Sequence, residues 1–237
     1  MPNDEQMLTS MDIHHHACTL LLDGKLFLAP IDLNGKKVLD IGTGTGIWAI
    51  DLGDMYPGAE VIGTDITPIQ PNWVPPNVRF EIDDANLEWT WTENEFDFIH
   101  LRTMLGTIAD WKKFYQEAYR CCKPGGWLEH HEEEPKWTGY NGEVTEDSPM
   151  GQWYKVFSEG GKKFGRTFTL ISEDIQKKYM EEAGFVDIQV KDFQVPLDDH
   201  TDDPKEKELG ACFGMVLHAD LEGEFTSFHD AKVTEVC

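Results

Sequence analysis

Basic residues are scarce in this chain. Lysine and arginine together number 20 against 44 acids, a net charge of −24 over 237 residues, and arginine occurs only at Arg79, Arg102, Arg120 and Arg166. A surface of that sign repels phosphate backbones and anionic lipid, which argues against direct nucleic-acid binding and membrane attachment. Apolar runs of membrane-spanning length are also lacking, and Met1-Pro2-Asn3-Asp4-Glu5 has no basic start of a signal peptide. The cysteines (Cys18, Cys121, Cys122, Cys212, Cys237) form no C-x-x-C pair, so reduced thiols are expected rather than a disulfide frame. These absences together predict a cytoplasmic protein, with the nucleus as the alternative. Internal repeats and low-complexity tracts are absent as well.

What is present is a glycine-rich turn. Val38-Leu39-Asp40-Ile41-Gly42-Thr43-Gly44-Thr45-Gly46-Ile47-Trp48 reads as a buried strand, a turn and the start of a helix. Glycine lets the backbone bend there and lets a ligand approach where a Cβ would clash. No lysine lies between Lys37 and Lys112, which removes a Walker phosphate loop. A dinucleotide turn wants its third glycine at position 47, where Ile47 stands. Asp40, ahead of the first glycine, would repel pyrophosphate. It suits a ligand carrying an ammonium and a sulfonium, as S-adenosylmethionine does.

The chain around this turn reads as alternating strands and helices. Residues 4–23 form an amphipathic helix placed to close over a ligand. Its run His14-His15-His16 points in three directions, a poor single metal site, and no metal is expected. Ala59–Ile66 is a second strand with Asp65 at its tip, where a carboxylate can accept from both hydroxyls of a ribose. Val78–Ile82 is a third, followed by Asp83-Asp84-Ala85; an acid there, Asp84 in preference to Asp83, can accept from the amine of adenine. Glu95–Arg102 is the fourth. Its His100 is read either as a general base or as a satisfied core histidine, and Arg102 either orients an anionic acceptor or holds a loop. Asp110 caps a helix whose stripe Trp111, Phe114, Tyr115, Ala118, Tyr119 and Cys122 is core. Lys123-Pro124-Gly125-Gly126 leads into a fifth strand, where His130 and His131 should face opposite sides of the sheet. Pro135 to Gly165 is an aromatic insertion (Trp137, Tyr140, Trp153, Tyr154, Phe157, Phe164), either a lid over an acceptor pocket or an appendage with its own core. Ser172 is expected to cap a helix, Phe185–Val190 to be strand six, Asp198–Asp203 a linker, and a last helix to start near Lys205.

In this order, Val38–Gly46, Asp65, Asp83-Asp84 and Lys123-Pro124-Gly125-Gly126 resemble the successive motifs of class I S-adenosylmethionine-dependent methyltransferases. Leu21–Leu26 with Ala29-Pro30, Phe96–His100, Asp110-Trp111 and Pro124–Glu129 are similar to the fungal LaeA-like branch, tied to secondary metabolism. The resemblance runs from about residue 5 to about 210. It implies a doubly wound α/β fold with a mostly parallel sheet. It also implies an S-adenosylmethionine site built from Asp40, Gly42, Gly44, Gly46, Asp65, Ile66, Asp84 and Ala85. The family supplies no agreed catalytic base; His100, Arg102 and His130 are the candidates.

Such relatives end in an antiparallel strand between strands five and six, and Val233-Thr234-Glu235-Val236 reads as too short and too close to serve. The fold is therefore expected to lack that strand. The expected division is a helical lid at 1–35, a cofactor-binding domain at 36–200 with a helical insertion near 135–170, and a helical segment at 201–237. The function implied is methyl transfer to a small-molecule acceptor in secondary metabolism. The alternatives are a regulator acting through protein partners, or the same fold recruited to non-methyl chemistry. A homo-oligomer also remains open.

Overall fold

The structure, a computed structural model, describes residues 5–139, 144–197, 201–219 and 230–236. Tyr140 and Cys237, named above, lie outside the described residues, as does part of the 198–203 linker. In chain order the elements are α1 (Glu5–Leu21), β1 (Lys37–Ile41), α2 (Ile47–Met55), β2 (Glu60–Asp65), β3 (Val78–Ile82), β4 (Phe96–Arg102) and α3 (Trp111–Cys121). They are followed by β5 (Cys122–Glu134), α4 (Pro149–Lys163), α5 (Ile175–Ala183), β6 (Gln189–Gln194), α6 (Pro204–Ala219) and β7 (Asp230–Val236).

One seven-stranded sheet runs β3-β2-β1-β4-β5-β7-β6. The five strands from β3 to β5 are all parallel. The order reverses between β1 and β4, which opens a crevice at the carboxyl ends of these strands. β7 is antiparallel to both β5 and β6, from Leu128↔Val236 to Glu134↔Asp230 and from Gln189↔Glu235 to Gln194↔Asp230. The expected lack of a last antiparallel strand, and a wholly helical 201–237 segment, are corrected by this pairing. Seven residues suffice because β5 and β6 each leave a ladder of backbone groups facing the same slot, and β7 satisfies both.

Alternation along the strands divides the core. Leu39, Ile41, Ile99 and Leu101 pack with Trp111, Phe114, Tyr115 and Ala118 of α3 and Met180 of α5. Val38, Val61 and Phe98 pack on the other face with Trp48, Ala49 and Leu52 of α2 and with Leu26, Phe27 and Leu33. Trp48 Nε1 donates to Leu26 O (2.8 Å), which ties the segment before β1 to α2. A third cluster joins α1 to α6 through Ala17, Leu209, Cys212, Phe213 and Val216.

Asp110 caps α3 as expected, its side chain accepting from Lys113 N. Tyr119 departs from the predicted core stripe: it is half exposed, with its ring edge on Phe185. Cys122 is core as expected, though as the first residue of β5 rather than on the helix. Ser172 does not cap α5, which starts after Asp174. The Ser172 amide is instead held by Glu134 and its hydroxyl by Tyr154. β6 starts four residues later than predicted. Asp187 sits at φ 53°, which breaks the extended run, and Phe185 is drawn into the core as the anchor of the α5 turn.

Candidate cofactor site and the carboxyl edge of the sheet

The glycine turn is held from below. Thr43 N donates to Thr64 O (2.9 Å), and Gly44 N donates to Asp65 Oδ2 (3.0 Å). Gly42 and Gly46 take φ of 68° and 80°, in the left-handed region. A Cβ on Gly42 would lie 2.2 Å from Met104 Sδ, and one on Gly46 2.3 Å from the Phe80 ring. The two glycines thus do different work. Gly42 leaves a cradle that the Met104 side chain borders, whereas Gly46 makes room for Phe80 of β3 and ends the turn at the start of α2.

Asp65 sits at the tip of β2, half-buried. Its Oδ2 accepts from Gly44 N and its Oδ1 from Thr67 N (2.9 Å). Each carboxylate oxygen can accept a second hydrogen bond, so the diol function expected of it is compatible with the loop-bracing one. Ile66, 65% exposed, follows directly, and exposed Ile82 is paired across from Asp65. Asp84 Oδ1 accepts from the backbone and side-chain nitrogens of Asn86, while Asp83 Oδ1 accepts from Asp84 N. The Asp83-Asp84-Ala85 turn therefore stands at the tip of β3, beside that of β2. Ala85 itself packs against the core.

Asp40 is placed differently from the expectation that it lies near the cofactor's amine. It is 3% exposed, and its carboxyl is committed to Thr43 Oγ1 (2.6 Å) and His100 Nδ1 (2.7 Å). Alternation sends its side chain to the α2 face, beneath the loop. Burial pushes its pKa up to about 7 against partial compensation from Thr43 and Arg102. A carboxyl whose folded pKa lies above its unfolded value takes up a proton on folding. Its contribution to stability is therefore greatest at low pH and is lost as pH rises from about 4 to about 7. Asp40→Asn should abolish that component. The wild-type-minus-variant stability, read from urea midpoints, should fall by up to about 1.4 kcal/mol per pH unit across this window and level off above it.

Two of the catalytic candidates lie in the core. His100 is 1% exposed and stacks on Trp48, with centroids 3.8 Å apart and an interplanar angle of 3°. Burial, with His131 and Arg102, holds its pKa well below the usual value, so it is a neutral core imidazole. His130 is fully buried between Tyr115 Oη (2.7 Å), Glu132 (3.1 Å) and the Trp111 ring. The opposite facing of His130 and His131 is as expected: His131 turns to Glu129 and the His100 ring on the other side. Arg102 is half-buried at the end of β4, and its Nη2 donates to His15 Nδ1 (3.1 Å).

α1 lies across this edge. Asp12 accepts from Thr45 Oγ1 in the glycine turn (2.9 Å), and Met11 Sδ would stand 3.5 Å from a Cβ on Gly44. His15 bridges Arg102 and Asp51 of α2 (3.0 Å). Burial, then Arg102, lowers its pKa to about 4, consistent with an imidazole that accepts at Nδ1 and donates at Nε2.

Sequence reasoning missed the largest group of working residues. Leu128–Glu134 of β5 is buried throughout, four glutamates included. Glu129 accepts from Leu28 N and Ala29 N (2.7 Å) and from His131. Glu132 accepts from Met104 N (3.0 Å), and burial raises its pKa well above the carboxylate range. Glu134 accepts from Ile171 N, Ser172 N and Tyr154 Oη. These carboxyls fasten three loops over the carboxyl edge. The one available signal is the acidic run itself, continuing a strand where a solvated turn would be expected.

Comparison with known proteins agrees with this architecture. A family model for a methyltransferase domain matches residues 13–190. Methyltransferase pytC of Aspergillus terreus is 40% identical over 236 residues, covering 99% of this chain and 71% of that protein. The secondary metabolism regulator LAE1 of Cochliobolus heterostrophus is 36% identical over 228 residues, covering 93% and 73%. The regulator laeA of Aspergillus flavus is 32% identical over 227 residues, and the match spans 94% of this chain and 60% of that protein. Among solved structures, the Haloferax volcanii putative methyltransferase in complex with the Trm112 activator aligns at TM-score 0.60, 16% identity, covering 97% and 92%. Phosphoethanolamine N-methyltransferase 2 of Haemonchus contortus, in complex with S-adenosyl-L-methionine, aligns at 0.59, 17% identity, covering 96% and 56%. These two likenesses concern the fold. The chain belongs to the S-adenosylmethionine-dependent methyltransferases, in the methyltransferase-domain family that includes pytC and the LaeA-like regulators.

Proposed function

We propose that this chain methylates a small-molecule acceptor of secondary metabolism. The observation that carries the proposal is the position of the aromatic segment after β5. Arg166 Nη1 donates to Thr107 O (3.1 Å), and Phe168 covers Gly106, so this segment leans on the loop after β4 at the crevice edge. Trp153, Phe157 and Phe168 form a continuous ring cluster behind it. An apolar wall beside a cofactor cradle suits a compact organic acceptor.

In this reading Gly42 and Gly44 border the methionine portion and Asp65 accepts from the ribose hydroxyls. Ile66 and Ile82 offer an apolar face to the adenine, with Asp84 and Ala85 at its rim. Bound there, S-adenosylmethionine supplies a methyl on a sulfonium, open to in-line displacement. The chain positions the acceptor, and α1, anchored by Asp12 to Thr45, excludes water from the crevice. No proton transfer is assigned to His100 or His130, because both are sealed in the core.

The test combines an assay with genetics. The purified protein, given methyl-labelled cofactor and a metabolite extract, is expected to yield one labelled small molecule. A deletion strain is expected to accumulate its unmethylated precursor. Silencing of many pathways, with no labelled small molecule, would establish the regulatory reading that the LaeA-like relatives favour.

A further inference from the structure

The run His14-His15-His16 divides as its helical spacing demands. His14 turns to Glu133, His15 to Asp51 and His16 to Glu208. One of the three, however, meets ligands from elsewhere. Cys18 lies one helical turn beyond His14 on the same face of α1. Glu133 of β5 faces them both. His14 Nε2 lies 2.9 Å from Glu133 Oε1 and 3.6 Å from Cys18 Sγ. The three ligand atoms all fall within 4.8 Å of one another, and all three residues are buried.

We propose that His14, Cys18 and Glu133 form a site for one thiophilic divalent cation of the zinc type, clamping α1 to β5. The spacing suits it. Bonds of about 2.05 Å to nitrogen and about 2.3 Å to sulfur at a tetrahedral angle set the two donors about 3.5 Å apart. The carboxylate needs to move outward by only a few tenths of an ångström. Thiolate, imidazole and carboxylate on one ion is a zinc donor set, and hard cations such as magnesium would not choose the sulfur. A second observation points the same way. Glu133 is 6% exposed, and its Oε2 is buried without a hydrogen-bond partner among the described residues. A buried acceptor with nothing to accept is costly, and a cation removes that cost.

The ring of His14 is also held in place, edge-on to Phe213 of α6 at 5.9 Å. A histidinium–glutamate pair alone leaves Glu133 Oε2 without a hydrogen-bond partner among the described residues. A cation takes over the charge balance of the same cluster and employs all three side chains. The proposal is independent of the acceptor, since it concerns how the helix over the glycine turn is anchored.

The experiment uses full-length, tag-free protein stripped with chelator and titrated with Co²⁺, then Zn²⁺. One equivalent of Co²⁺ is expected to give tetrahedral visible bands and a near-ultraviolet thiolate-to-cobalt band, both discharged by Zn²⁺. Zn²⁺ at a hundredfold excess over its Kd is expected to raise Tm by about 5–10 °C. Cys18→Ala should abolish the thiolate band, and Glu133→Gln should weaken binding at least tenfold. X-ray absorption on the wild-type zinc form should show one sulfur among its donors, a readout that does not depend on a variant's folding. Absence of stoichiometric binding, a donor set without sulfur, or a thiolate band that survives Cys18→Ala overturns the site.

Discussion

Asp65→Ala is expected to weaken S-adenosylhomocysteine binding at least 100-fold while leaving the far-ultraviolet circular dichroism unchanged. The carboxylate is assigned two charge-assisted hydrogen bonds to the ribose, each worth about 1.5–3 kcal/mol. At about 1.4 kcal/mol per tenfold, the loss spans about two decades or more. Asp65 also braces the loop through Gly44 N and Thr67 N, so truncation loosens the cradle as well. An analogue lacking the ribose 2′-hydroxyl separates the two effects. Wild type should lose affinity for the analogue about tenfold or more, and the variant should scarcely discriminate the two ligands. Asp65→Asn keeps an acceptor for Gly44 N but forfeits the charge, and should fall between the two. Calorimetric affinity equal to wild type in a folded Asp65→Ala protein would falsify the ribose assignment.

The parts of this protein that follow a local rule are visible in the sequence. β1 and the glycine turn, β2 ending at Asp65, β3, β4 and the Asp110-capped α3 each rest on a short-range pattern of hydrophobicity, turn chemistry or capping. What resists reading is long-range. Asp40 stands at a position suited to an amine, yet the parity of β1 turns it inward, where His100 of the neighbouring strand meets it. β7 begins at Asp230, 96 positions after β5 ends at Glu134, and pairs with it only through register. Nothing local marks the slot it fills, because that slot exists only once β5 and β6 have been laid side by side. Ser172 carries a good capping side chain but is claimed by Glu134 from another element. Tertiary competition for a hydrogen-bonding group overrides the local preference in each case.

The same competition explains the glutamates of β5. A run of His and Glu beyond Leu128 suggests a solvated edge or a metal cluster, since isolated buried carboxylates are costly. The carboxyls of Glu129, Glu132 and Glu134 instead meet backbone amides of three different loops: 28–29, 104 and 171–172. Loop amides at the carboxyl edge of a sheet have no ladder to join, and an inward carboxylate satisfies several at once. The strand thereby ties these loops to the sheet.

Glu129→Ala is expected to be strongly destabilising. Glu129 is completely buried and receives Leu28 N, Ala29 N and His131 Nε2. Burial alone would raise its pKa, but His131 and the Ala29 amide outweigh burial and hold it below the usual carboxylate range. Glu129→Ala leaves two amides and an imidazole facing a cavity with no acceptor. A loss of about 3–5 kcal/mol is expected, the range for breaking a buried charged network by removing one partner. For a chain of this size that is a fall in Tm of about 6–20 °C. Glu129→Gln restores one acceptor oxygen and should recover part of it. The pH dependence identifies the cause. A depressed carboxyl contributes stability above its unfolded pKa and loses it as pH falls through the folded value. The gap between wild type and Glu129→Gln should therefore be constant near neutrality and close on acidification below about pH 4. A gap that persists undiminished in acid would assign the loss to packing, and the charge of Glu129 would then have no part in holding the 28–29 segment against the sheet.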